Sequence, residues 1–299
     1  MKKTIIILTS DPFSINYEII KKTQNFFKKK LHNKYLFVGD QKDVGDNIKK
    51  GNKLINFMNI RRGTNTKVYL KECFELAFKL LKNKKAHGII NLPLNKRFLP
   101  KGYPGFTEYI AHAFNKRGKE TMLLYSQNFS VCPNTTHIRI KDISKNLNKK
   151  KIITNIGNIN SFYKNTLGVK KPNIGVMGLN PHNGMDFEKR TEEKDIIKPA
   201  IKKLIKDKIK VTGPLVPDVA FNEIDKKKIN CLVGHYHDQV LPTFKYIHKF
   251  DAINITLGLP FLRISPDHGP ASNLKNKNLA NPESFIAALK FFEKHYKKI

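Results

Sequence analysis

Hydrophobic positions along this chain follow two spacings. Short continuous apolar runs, KTIIILTS (3–10), KYLFVGD (34–40), AHGIINLP (86–93), PNIGVMGLNPH (172–182) and INCLV (229–233), are strand patterns bounded by polar or proline-containing turns. Between them lie segments whose apolar residues recur every three or four positions: YEIIKKTQNFFKKK (17–30), KVYLKECFELAFKLLKNKK (67–85), TEEKDIIKPAIKKLIKD (191–207) and NPESFIAALKFFEKHYKK (281–298). That spacing lays one apolar stripe along a helix. The third segment opens with acidic residues, which suit the positive end of the helix dipole. In the fourth, Asn281 caps and Pro282 occupies the first turn. TMLLYSQ (121–127) and FSVCPNTTH (129–137) read as a pair of strands. Strands alternating with helices imply a largely parallel sheet, so the expected class is α/β. No internal repeat or long linker interrupts the pattern; a domain boundary is expected where the chain crosses between lobes.

Composition narrows the class. At 299 residues with 40% apolar content, the chain is long enough for two lobes with real cores. No apolar run approaches the ~18 residues needed to cross a bilayer, and MKKTIIILTSDP breaks too early for a secretory segment, so a cytoplasmic location is expected. Cys73, Cys132 and Cys231 are widely spaced, indicating neither a disulfide framework nor a thiolate metal site. The net charge of +32 invites a nucleic-acid reading. Only seven of the 56 basic residues are Arg, however, and the lysines are scattered in short runs without interleaved aromatics. We therefore expect no nucleic-acid partner and no membrane, while a positive field would gather small anions.

The candidate chemistry lies at predicted strand ends, where open α/β sheets bind ligands. His137 ends VCPNTTH, His182 sits in GLNPHNG, and His237 lies in GHYHDQVLPTFK, directly after INCLV. Imidazole is the commonest side-chain ligand for divalent transition metals, and three protein ligands with an open position define a catalytic site. His235 is either a fourth ligand or a packing residue. Lys245, Asn254 and Arg263 punctuate the apolar stretch KYIHKFDAINITLGLPFLR, where cations need a negative partner: a structural carboxylate or a bound anion. Asp267, His268 and Gly269 follow in SPDHGPASN, a turn that permits close backbone approach. No G-x-G-x-x-G follows the first strand, and no P-loop is present.

Together, GLNPHNG, YHDQVLPTFK and NITLGLPFLRISPDHGPA resemble in order and spacing the motifs of the 4-hydroxythreonine-4-phosphate dehydrogenase family of pyridoxal 5'-phosphate (vitamin B6) biosynthesis. The likeness extends more weakly through LPLNK, YPGFTE and TTH to the N-terminal SDP. The resemblance implies a two-lobed isocitrate/isopropylmalate dehydrogenase-like fold, with an active site in the interdomain cleft, shared across a homodimer. The expected lobes are 1–106 with 264–299, and 107–263, the second carrying metal ligands and dimer interface. By motif, a divalent metal (zinc, magnesium or cobalt) falls to His137, His182 and His237. The phosphorylated small-molecule substrate falls to Thr107, Lys245, Asn254 and Arg263, and NAD or NADP to Asp267, His268, Gly269 and Asn273. The implied reaction oxidises the 3-hydroxyl of 4-phosphooxy-L-threonine to a 3-oxo acid, which decarboxylates to 3-amino-2-oxopropyl phosphate. Asp238 and Asp218, with Lys245, are the candidate catalytic groups, either orienting a ligand histidine or relaying the proton.

Three stretches depart from the family pattern. The first turn, usually like GDPAGIGPE, is SDPFSINYE; GHTE becomes GFTE, with Phe106 in place of a histidine; and DHGTALDLAG becomes DHGPASNLKN, with Asn273 replacing an acid and Lys275 and Asn276 replacing Ala and Gly. Two alternatives follow: a dehydrogenase of another phosphorylated hydroxy acid, such as threonate or erythronate 4-phosphate, or a non-catalytic paralogue that only binds a phosphorylated metabolite.

Overall fold

The computed structural model describes residues 2–44, 48 and 52–298. Two compact units emerge, Met1–Arg117 with Phe250–Ile299, and Gly118–Lys249. The first contains β1 (Thr4–Leu8), α1 (Asn16–Lys22), β2 (Lys34–Gly39), β3 (Ile55–Asn59), α2 (Thr66–Lys82), β4 (Gly88–Asn91) and α3 (Phe106–Ala113). The second contains β5 (Thr121–Tyr125), β6 (Ser130–Pro133), α4 (Lys149–Asn165), β7 (Ile174–Met177), α5 (Lys198–Lys206), β8 (Val211–Leu215), β9 (Cys231–Gly234) and α6 (His237–His248). The chain then returns to the first unit with β10 (Ile253–Leu257), β11 (Leu262–Pro266) and α7 (Glu283–Lys294).

In the first unit the strand order is β3-β2-β1-β4-β11-β10, parallel throughout except for the antiparallel pair β10 and β11. Because β11 pairs with β4, residues 107–117 and 250–263 cluster with the first unit, whereas the sequence boundaries at 106/107 and 263/264 assign them to the second. Ile5 to Leu8 are fully buried, as a strand covered on both faces requires. Helix α2 covers one face. Asn65 caps it by accepting hydrogen bonds from Lys67 and Val68 N–H, and Leu70, Cys73, Phe74 and Ala77 pack on Ile6, Leu8, Val38 and Ile89. Helix α7 is also anchored: a Cβ at Gly88 would come within 2.5 Å of the Phe292 ring, and the Glu293 carboxylate accepts from Tyr35 Oη–H at 2.8 Å and Asn33 Nδ2–H at 3.0 Å.

In the second unit the order is β5-β6-β9-β7-β8, with only β5 and β6 antiparallel. This is the strand pair expected from TMLLYSQ and FSVCPNTTH. Helix α4 buries Ile152, Ile156, Ile159 and Phe162 on one stripe, with Asn155 tied by hydrogen bonds to Thr121 at 2.7 Å and Asn134 at 2.9 Å.

Three elements differ from the periodicity reading. Residues 17–30 form α1 and a separate helical turn, Gln24–Phe27, because Thr23 interrupts: its hydroxyl donates to the Ile20 carbonyl at 2.7 Å. Helix α4 was not expected, its run being rich in Ile and Asn, both only moderate helix formers. Helix α6 also forms, with Pro242 inside it, so GHYHDQVLPTFK is a strand end followed directly by a helix. Among the described residues, no helix is long and apolar enough to cross a membrane.

Candidate functional site

Strands β6, β9 and β7 are parallel neighbours, so the residues after each emerge along one edge of the second unit. His137 follows β6, His237 follows β9 and begins α6, and His182 follows β7. The His137 and His237 ring centres lie 5.9 Å apart. His237 and His182 each have a carboxylate on Nδ1: His237 Nδ1–H donates to Asp238 Oδ1 at 2.6 Å, and His182 Nδ1–H to Asp186 Oδ2 at 2.5 Å. A carboxylate there fixes the tautomer, turns the Nε2 lone pair outward and raises its basicity.

His235 has a different task. Fully buried, it donates from Nε2 to the Met177 carbonyl at 2.7 Å and accepts at Nδ1 from Asn134 Nδ2–H at 3.1 Å, joining the ends of β9, β7 and β6. Burial pushes the ring down to about 4, so it is neutral at physiological pH. Gln239 adds a second tie, accepting from His235 N–H at 2.6 Å and donating to the Gly178 carbonyl at 2.8 Å.

The loop bearing His182 is held from below by Glu193, whose carboxylate is fully buried. Its Oε1 accepts from Leu179 N–H at 2.7 Å and Asn180 N–H at 2.8 Å, and its Oε2 from Asn180 Nδ2–H at 2.9 Å. Burial pushes the carboxyl up, but these hydrogen bonds prevail and hold it below its ordinary value. With that support, His182 and Asn183 adopt left-handed backbone at φ 48° and 58°.

In the first unit the centre is Arg263 on β11, only 3% exposed. Its Nε–H donates to Asn91 Oδ1 at 2.6 Å, and Nη1 donates to Thr256 Oγ1 at 2.8 Å and Thr107 Oγ1 at 3.1 Å. Phe106 lies beneath the guanidinium at 5.6 Å from its ring centre. Burial pushes the group down to about 10, opposed by the more distant Glu108, and no carboxylate among the described residues lies within ion-pair reach. A buried cation supported by neutral oxygens is set to receive an anion. Asn254, half-buried on β10, has a side-chain oxygen without a hydrogen-bond partner among the described residues.

After β11, Asp267 N–H donates to Ser284 Oγ at 2.8 Å, His268 is bonded to the Gly269 carbonyl, and Asn273 lies exposed in the turn Ser272–Leu274. A Cβ on Gly269 would meet nothing within 4 Å, so the space beside this backbone is open.

Some expected groupings form and others do not. His137 joins His237, Arg263 joins Thr107, and Asp238 joins His237. Among the described residues, no three His, Cys, Asp or Glu side chains stand close enough to hold one ion. Imidazole nitrogens are of the donor type a divalent metal takes, but the described residues do not assemble a ligand set for one. Asp218 is exposed after β8 and makes no hydrogen bond with a histidine among the described residues; Lys245 is exposed in the last turn of α6. Sequence reading missed Asp186, Glu193, Asn91 and Thr256. Asp186 stands four residues after His182, a spacing that was available; Asn91 and Thr256 meet Arg263 only through strand pairing.

Comparison with known proteins places the chain in a family. The model of the pyridoxal phosphate biosynthetic protein PdxA family matches residues 8–292. A 4-hydroxythreonine-4-phosphate dehydrogenase from Sulfurihydrogenibium sp. (strain YO3AOP1) is 36% identical over 315 residues, covering 95% of this chain and 96% of the relative. The crystal structure of a 4-hydroxythreonine-4-phosphate dehydrogenase from Klebsiella pneumoniae superposes with a TM-score of 0.79 at 27% identity, covering 97% of this chain and 98% of that one. Isocitrate dehydrogenase from Methylococcus capsulatus shares the fold alone, with a TM-score of 0.53 at 9% identity over 98% of this chain and 85% of that one. With nearly its whole length matched by the family model and by full-length relatives, this chain belongs to the PdxA family of pyridoxal phosphate biosynthetic proteins.

Proposed function

We propose that this chain is a 4-hydroxythreonine-4-phosphate dehydrogenase: it oxidises the 3-hydroxyl of 4-phosphooxy-L-threonine with a nicotinamide cofactor, and the resulting 3-oxo acid loses carbon dioxide to give 3-amino-2-oxopropyl phosphate. The observation that carries this reading is the buried Arg263, held by three neutral acceptors. In this role Arg263 binds an anionic group of the substrate, with Thr107 and Asn254 alongside and Lys245 as the second cation. Phe106 supports the guanidinium from below by its ring face.

His137, His182 and His237 are assigned as ligands of a divalent metal. Their set is completed by a second copy of the chain in a homodimer, which accounts for the two-histidine proximity within one copy. When bound, the metal makes the substrate hydroxyl more acidic. Asp186 and Asp238 keep His182 and His237 in the tautomer that presents Nε2, and Glu193 fixes the loop that carries His182. Asp267 through Asn273 frame the cofactor, the open space beside Gly269 receiving it.

The test is NAD and NADP reduction by purified protein with 4-phosphooxy-L-threonine, with added divalent metal and after chelation. Metal-dependent reduction is expected. Absence of reduction by metal-loaded protein, with turnover of threonate or erythronate 4-phosphate instead, would reassign the substrate.

A further inference from the structure

Strand register decides which groups meet Arg263. Its Cα partner on β10 is Thr256, and on β4 it is Ile89, two residues before Asn91. Side chains two apart on a strand share a face, so Asn91, Arg263 and Thr256 stand on one face of three adjacent strands, and all three are buried. A guanidinium has five N–H groups. Asn91 Oδ1 takes the one on Nε, and Thr256 Oγ1 and Thr107 Oγ1 accept from Nη1. Nη2 makes no hydrogen bond with the described residues, so it is the edge left for a ligand.

The supports are themselves held. Asn91 Nδ2–H donates to the Leu92 carbonyl at 3.4 Å, which turns Oδ1 toward the guanidinium. The Phe106 ring that lies against the guanidinium packs edge-on against Phe74, with ring centres 5.3 Å apart. Thr107 Oγ1, having accepted from Nη1, keeps its own hydrogen to donate onward. Neutral oxygens orient the guanidinium without cancelling its charge. A carboxylate in the place of the Asn91 amide would hold Nε as firmly but would pair with the charge.

We propose that Asn91 and Thr256 are positioning residues for the substrate's anionic group: they occupy Nε and Nη1 so that Arg263 meets the anion through Nη2, and their neutrality keeps the positive charge for the ligand. The Thr107 hydroxyl donates to the same anion. The inference rests on the assignment of Arg263 to the substrate above.

The test is calorimetric titration of the full chain with 4-phosphooxy-L-threonine, with added divalent metal and no nicotinamide cofactor, alongside urea unfolding at pH 7. The chains compared are the parent, Asn91→Asp, Thr256→Val, Thr256→Ser and Arg263→Met. Asn91→Asp keeps the shape of the side chain and places a carboxylate on Nε. It is expected to bind substrate about 100-fold more weakly while its urea midpoint stays at or above the parent's, because the new charge pairs with a guanidinium that is already buried. Thr256→Val removes an acceptor at nearly constant shape and is expected to weaken binding about tenfold, with Thr256→Ser returning most of the affinity. A purely structural role moves stability and affinity together. An Asn91→Asp chain that loses both, or that keeps parental affinity, would therefore overturn the inference, as would parental affinity in Thr256→Val. Arg263→Met separates the two levels. If it alone loses affinity, Arg263 still binds the anion and only the positioning role falls; if it binds as the parent does, or the parent does not bind, the substrate assignment of Arg263 falls as well.

Discussion

Replacing Glu193 tests how the His182 loop is held. In Glu193→Ala, three donors lose a charged acceptor: Leu179 N–H, Asn180 N–H and Asn180 Nδ2–H. Hydrogen bonds to charged groups contribute roughly 1.5–3 kcal/mol each, and water entering the vacated space recovers part of that, so a net loss of about 3–4 kcal/mol is expected. Glu193→Gln keeps an oxygen for the two backbone donors but sets its amide nitrogen against Asn180 Nδ2, losing one bond and the charge assistance of the others. Its expected cost is about 2 kcal/mol. The chain has no tryptophan, so urea unfolding is followed by far-UV circular dichroism. The pH dependence has a definite sign. The folded carboxyl lies below its ordinary value of 4.5, so the unfolded chain binds the proton more readily. The stabilisation is then fully present above pH 4.5 and is lost as pH falls through the folded value. The gap between parent and Glu193→Gln should be widest near neutrality and close in acid. A Glu193→Ala variant within about 1 kcal/mol of the parent, or a Gln variant at least as damaging as Ala, would refute the reasoning.

Arg263→Lys should lower kcat/KM for the phosphorylated substrate by about 100-fold or more, because a lysine cannot satisfy Asn91, Thr256 and Thr107 in a fixed fan; near-parental kinetics would remove Arg263 from substrate binding. Gly88→Ala should destabilise by about 1–3 kcal/mol, since the new methyl would strike Phe292, and Phe292→Leu should relieve part of the loss in a double-variant thermal melt. Asn65→Ala should cost about 1 kcal/mol by leaving the first N–H groups of α2 without their cap, read as a lower urea midpoint. The thiols of Cys73 and Cys132 are pushed up to about 12 by burial, and burial also raises that of Cys231 well above its ordinary value; none should react with an aromatic disulfide reagent at pH 8 until the chain is unfolded.

Legibility followed the range of the forces involved. Strand β1 was readable because a strand covered on both faces must be apolar along its length. Helix α2 was readable because a one-sided apolar stripe is a local signal. Helix α4 carries the same signal at Ile152, Ile156 and Ile159, but moderate helix formers between them weakened it. Helix α6 was hidden by Pro242. At the candidate site, the three histidines and Arg263 stood out as polar groups at the ends of apolar runs. The identity of Arg263's supports did not: Asn91 and Thr256 lie 172 and 7 residues from it, and only the pairing of β11 with β4 and β10 joins them.

The amino-acid order by itself determined the α/β class, most of the strands, the family, and the residue types able to bind metal and anion, because burial pattern and side-chain chemistry are properties of short stretches. Tertiary structure decided which of those residues act on each other. It made His235 a buried bolt between three strand ends while leaving His237, two residues on, directed outward beside Asp238. It gave Arg263 neutral partners in place of a carboxylate, and gathered Lys42, Arg62 and Lys275 around one cavity. Such meetings depend on distances set by strand order and helix packing, and no local stretch of chain encodes them.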